Sequence, residues 1–92
     1  MEQLPKYQEL IAPMLKILSR SGVALHNNEI EAAVALELNI SESLRVAIHS
    51  GTRTELGYRL GWAKTKAKES GWLVSPKREH WFITDLGKNQ FV

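Results

Sequence analysis

The sequence predicts a mainly α chain that closes with a small β-hairpin, an α+β class. Three observations carry this expectation. Apolar residues recur at helical spacing over residues 5–20, 28–38 and 52–70. Two short aromatic-apolar runs, Trp72-Leu73-Val74 and Trp81-Phe82-Ile83, follow with a polar, Pro-containing stretch between them. None of the 92 residues is Cys, so one small domain must hold together on apolar burial, without disulfides or Cys-based zinc.

The first helix spans 5–20. Leu10, Ile11, Met14, Leu15, Ile17 and Leu18 form its buried stripe, and Gly22 suits its C-terminal cap. Pro5 fits a first turn. Pro13 lacks an N–H and clashes with the preceding turn, which predicts a kink there or a helix that restarts there. The second helix spans 28–38, with Ile30, Val34 and Leu38 on one face and Asn28 and Glu31 at capping-box spacing. Residues 39–51 are a long connection in which Ser41 could cap a short helix carrying Leu44 and Ile48. The third helix spans 52–70. Thr52 and Glu55 repeat the capping-box spacing, Leu56, Leu60, Ala63 and Ala67 face inward, and Gly71 closes the helix. Strands at 72–74 and 81–83 flank a loop at 75–80, Ser-Pro-Lys-Arg-Glu-His. Thr84 to Gly87 begins a final turn or short helix.

That order is a winged helix-turn-helix with an extended helix 2–helix 3 connection. The third helix takes the place of the recognition helix, and 75–80 that of the wing. Charge follows the same division. Residues 1–51 carry four basic and six acidic side chains, and residues 52–92 carry eight and four. Between Arg53 and Arg78 the balance is +5, within a chain whose net charge is only +2. A basic segment over a helix and a wing suits a polyanion such as double-stranded DNA.

On a helical wheel, residues near the start of the third helix would reach deepest into a major groove. The base-edge candidates are therefore Thr52, Arg53, Thr54, Tyr58 and Arg59. Phosphate candidates are Gly51, Lys64, Lys66, Lys68, Lys77 and Arg78, with Gly51 and Thr52 opening the helix where free N–H groups can hold an anion. Arg53 and Lys64 lean toward the core edge, so their charged ends should reach out to solvent. Trp62 points away from the core. Two readings stand for it: contact with DNA or a partner, and packing against the wing, the N-terminal segment or a neighbouring domain.

No catalytic constellation is evident. His26, His49 and His80 lack metal-ligand spacing, the serines lack a nucleophile-elbow setting, and Gly57 and Gly61 lie inside a helix rather than in a phosphate loop. We expect no catalytic residue, no metal and no cofactor in this chain. No apolar run approaches the roughly 18 residues of a membrane span. The N-terminus has no basic start followed by an apolar stretch. With the lack of Cys, this suggests a reducing, cytoplasmic setting.

The run Arg59-Leu60-Gly61-Trp62-Ala63-Lys64, then Gly71, Ser75-Pro76-Lys77-Arg78 and Trp81-Phe82-Ile83-Thr84, resembles the N-terminal domain of Mrr-like restriction endonucleases. Pro5, Tyr7, Pro13 and Ser50-Gly51 also match, so the resemblance spans about residues 4–88. It implies a winged-helix DNA-recognition domain that precedes a nuclease domain cutting DNA with modified bases. No acidic pair followed by a Gln-x-Lys or Glu-x-Lys occurs here, so the nuclease is expected to be absent from residues 1–92. The end at Phe91-Val92, soon after the final turn, favours a recognition domain separated from its nuclease. The chain departs from the family at Tyr58, where Asn is common, and at Ala67 and Trp72, which suggest a volume exchange between neighbouring core positions. It also departs at Glu79-His80, where the family often has a Gly for the wing turn. Two other functions use the same elements: a protein-interaction or dimerisation module docking through Trp62 and Tyr58, and a stand-alone transcription regulator. No dimerisation heptads are present, so oligomeric state is left open.

Overall fold

A computed structural model describes residues 3–90. Helix α1 (Tyr7–Ser21) runs unbroken through Pro13. The expected kink or restart is not needed, because the carbonyl deprived of its N–H partner belongs to exposed Glu9, where solvent can satisfy it. Buried Leu10, Met14 and Leu18 hold both halves of the helix on the core. The Glu9 carboxylate accepts from the Lys6 N–H at 3.1 Å, and Gly22 ends the helix at φ 70°.

A two-residue strand, β1 (Leu25–His26), precedes helix α2 (Asn27–Glu37). The cap lies two residues before the expected Asn28–Glu31 pair. His26 Nδ1 accepts from the Asn28 N–H at 3.0 Å, while Glu29 accepts from the His26 N–H at 2.9 Å. Glu31 serves elsewhere: its carboxylate accepts from Thr54 Oγ1 at 2.9 Å.

The connection holds the expected short helix, α3 (Glu42–Arg45), following Ser41. It then forms a hairpin that the sequence did not announce, β2 (Ile48–Ser50) with β3 (Arg53–Thr54). Ile48 does not extend the short helix; it lies in β2 and is 58% exposed. Helix α4 (Glu55–Glu69) therefore starts three residues later than Thr52. Thr54 is its cap, accepting from the Gly57 N–H at 3.0 Å, and the Glu55 N–H donates to Ala47 O at 2.8 Å.

Strands β4 (Leu73–Lys77) and β5 (His80–Ile83) are longer than expected, so the loop at 75–80 contracts to a turn at Arg78-Glu79. Glu79 adopts φ 63°, a conformation that favours Gly, and the turn closes with a side chain there. The ladder shifts register between Val74 and Lys77, where Pro76 cannot donate. Ser75 Oγ lies 2.9 Å from both the Lys77 and His80 carbonyl oxygens there. β1 joins β5, giving a three-stranded antiparallel sheet in the order β1-β5-β4. The final helix, α5 (Asp85–Gln90), is capped by Thr84, whose Oγ1 accepts from the Gly87 N–H at 3.1 Å. Phe91-Val92 lie outside the described residues.

The result is a winged-helix-like α+β fold. α1 packs on α4, and Leu10, Met14 and Leu18 share one buried cluster with Leu56, Leu60 and Ala63, to which the sheet adds Leu73 and Ile83. Ala67 is fully buried and its carbonyl accepts from the N–H of Trp72, which packs on the edge of the core. Among the described residues no helix is long and apolar enough to cross a membrane.

Candidate nucleic-acid interface

Two faces of α4 remain available. One turns toward β1, the wing and the start of α2; the other turns toward the N-terminal segment.

On the first face Gly57 and Gly61 lie one turn apart and let neighbouring side chains approach the helix backbone closely. Beside them opens a recess of about 650 Å³ bordered by Asn27 and Asn28 of α2, Thr52 and Arg53 of the hairpin, and Glu79 of the wing. Arg53 Nη2 rests where a Cβ on Gly61 would be only 2.8 Å away. The guanidinium carbon stands 5.5 Å from the Tyr58 ring centre, and Tyr58 stacks on His49 with centroids 3.7 Å apart and planes at 11°. Among the described residues the Arg53 guanidinium has no hydrogen bond and no ion pair, so its donors are free for a ligand. Arg20, Arg45, Arg59 and Lys66 are all paired to carboxylates.

Lys64 lies on this face but not at the surface. It is 6% exposed, and its Nζ donates to Asn27 Oδ1 at 2.8 Å, 5.9 Å from the Trp81 ring centre. The same Asn27 oxygen accepts from Trp81 Nε1 at 2.8 Å. Burial pushes the Lys64 ammonium down to about 8; Arg53 pushes the same way, while Glu31 and Glu79 oppose it. The expectation that Lys64 reaches out to a phosphate is therefore corrected: it ties α4 to α2 and the sheet.

The second face carries Trp62. It is 46% exposed, and its ring tilts against that of Tyr7, the first residue of α1, at 6.3 Å. Arg59 is committed here too. Its Nη1 donates to the carbonyls of Leu4 and Pro5 at 2.8 and 3.0 Å, and its Nε donates to Glu55 at 2.8 Å. Hydrogen bonds from Arg59 and His49 hold the Glu55 carboxyl below its usual range. Arg59 thus fastens the chain's beginning to the helix instead of facing a groove.

The remaining expected site residues fall as follows. Thr54 is spent as the cap and as a donor to Glu31. Gly51 and Thr52 form the β2–β3 turn, with Gly51 at φ 56°, so they do not open the helix and offer no helix-terminus anion cradle. Tyr58 is partly buried between His49 and Arg53. Lys66 and Lys68 are exposed on the last turns of α4, and Lys77 and Arg78 are exposed at the wing tip. Arg53 borders the recess, while Lys77 and Arg78 stand at the wing tip outside its lining, next in sequence to Glu79 on its rim. Lys66 lies on the Trp62 side. Sequence reasoning missed Asn27, Asn28 and Glu31 as parts of this face. Their signal, an Asn pair and a carboxylate at a helix start, reads as capping until the wing is seen folded over it.

The sequence profile described as the Mrr N-terminal domain matches residues 7–91. One relative, the type IV methyl-directed restriction enzyme EcoKMrr of Escherichia coli (strain K12), is 26% identical over 84 residues, which cover 91% of this chain. The chain spans only 28% of that relative's length. No solved structure matches it.

Proposed function

We propose, from the premise that this chain belongs to the Mrr N-terminal domain family, that it is the DNA-recognition part of a restriction enzyme and binds duplex DNA in the cytoplasm. The observation that carries this is the Arg53 guanidinium, which among the described residues has no hydrogen bond or ion pair and rests against α4 beside an open recess. Arg53 from the hairpin lies against Gly61 of α4, and Lys77 and Arg78 are exposed at the tip of the wing, whose Glu79 stands on the rim of the same recess. An α-helix with a basic wing beside it can enter a major groove while the wing follows the backbone. Arg53 and Thr52 face the bases in this reading, and Lys68, Lys77 and Arg78 meet phosphates, with Lys66 farther along the helix. The full-length protein is then an endonuclease whose cutting domain lies outside these 92 residues.

Fluorescence anisotropy on a labelled duplex at several salt concentrations tests this. With about four phosphates engaged, log affinity should fall against log salt with a slope of roughly −3.6. Lys77→Ala and Arg78→Ala should each shallow that slope by roughly 0.9. Absence of binding at low salt, or a flat salt response, refutes it.

A further inference from the structure

The recess beside Gly57 and Gly61 has a lining that an all-phosphate site would not have. Arg53, Lys64 and Arg45, the last paired with Glu42, contribute positive charge, but Glu31 and Glu79 stand on the same walls. A phosphate drawn to the cations would meet two carboxylates. A base-pair edge is a better match, because it presents acceptors and donors side by side.

The two opposed groups are seated by the two glycines. Arg53 Nη2 occupies the space over Gly61, and Glu31 Oε1 occupies that over Gly57, each 2.8 Å from where a Cβ would stand. Gly is costly inside a helix, and here it lets a donor fork and an acceptor lie against the helix one turn apart, about 6 Å along its axis. Both are held in place. Tyr58, itself stacked on His49, backs the guanidinium, and Thr54 Oγ1 donates to Glu31 Oε2 at 2.9 Å. Arginine forks onto the O6 and N7 acceptors of guanine, and a carboxylate accepts from the N4 amine of cytosine.

We infer that the recess reads a G·C base pair in the major groove, with Arg53 on the guanine and Glu31 toward the cytosine amine, and with Gly61 and Tyr58 as positioning residues. This rests on the reading that the chain binds duplex DNA. The test is selection from a duplex library with a randomised centre and fixed ends, carried out with the wild-type chain, Arg53→Ala and Gly61→Ala, and followed by salt titrations. Arg53 is exposed, so its truncation leaves the core intact. The wild type should enrich G·C at one fixed position. Arg53→Ala should lose that preference, bind the enriched duplex roughly 5- to 150-fold more weakly, and keep its salt slope. Gly61→Ala should weaken the same preference by displacing Arg53, again without changing the slope. Uniform weakening by Arg53→Ala on all sequences, with a slope shallower by roughly 0.9, would make Arg53 a phosphate contact and overturn the inference. A wild type that binds duplex DNA with no G·C enrichment overturns it while leaving DNA binding intact. A wild type that binds no duplex at low salt removes both.

Discussion

Replacing Lys64 with Met should stabilise the domain at neutral pH. Burial lowers the Lys64 ammonium from 10.5 to about 8. At ~1.4 kcal/mol per pH unit, holding that charge in place costs about 3 kcal/mol, or about 2 after solvent screening. Met fills a similar volume and forfeits the Nζ–Asn27 hydrogen bond, worth about 1 kcal/mol, while Asn27 Oδ1 keeps Trp81 Nε1 as donor. The Lys64→Met variant should therefore be about 1 kcal/mol more stable at pH 7, raising Tm by ~4–8 °C. The sign reverses in alkali. Between pH 8 and 10.5 the unfolded chain holds a proton that the folded chain has released, so the wild type gains stability through that window. Above it the Met variant should be the weaker by about 1 kcal/mol. Urea unfolding of both proteins at pH 7 and near pH 10.5 measures the difference. A Met variant that is more than 1 kcal/mol weaker at pH 7, or a difference that does not move with pH, refutes the reasoning.

Asn27→Ala should cost about 2–4 kcal/mol in urea unfolding, since it strands the Lys64 ammonium and the Trp81 indole together. Combined with Lys64→Met, its cost should shrink well below the sum, because the two share one oxygen. Thr54→Ala should lose about 1–2 kcal/mol by removing the α4 cap and the partner of Glu31, and Thr54→Ser should restore most of it in the same assay. Gly87→Ala drives a Cβ into the Trp72 carbonyl and against Ile83, with an expected loss of about 1–3 kcal/mol measured as a lowered Tm.

The three long helices and the wing strands were readable because their buried residues keep a period that local geometry enforces; Leu56, Leu60, Ala63 and Ala67 all lie in the core. The helix starts were less readable. A Thr three residues before a Glu at 52 and 55 looks like a cap, yet the hairpin register places Thr54 there instead. His26 caps α2 through a ring nitrogen, which residue preference does not favour. The hairpin itself was hidden, because Ile48, His49 and Ser50 are all exposed and so show no alternation of apolar and polar residues. At the candidate site, composition located the cations but not their partners. Arg59 and Lys64 look alike on a wheel and in charge count, and both are consumed by groups far away in sequence: the Leu4 and Pro5 carbonyls and the Asn27 amide. Arg53 stayed free because a glycine gave it a seat, a relation visible only after α4 and the hairpin are docked.

The Asn27 amide oxygen also bears on the order in which the domain assembles. It joins residues 37 and 54 positions apart in the chain, and it can do so only when α2, α4 and β5 have met. Closing loops of that length carries an entropic cost before any contact rewards it. The helices can flicker into place early, but the buried ammonium and indole wait for the sheet. The domain should therefore cross its folding barrier as a single event, with the wing forming alongside the helix it flanks.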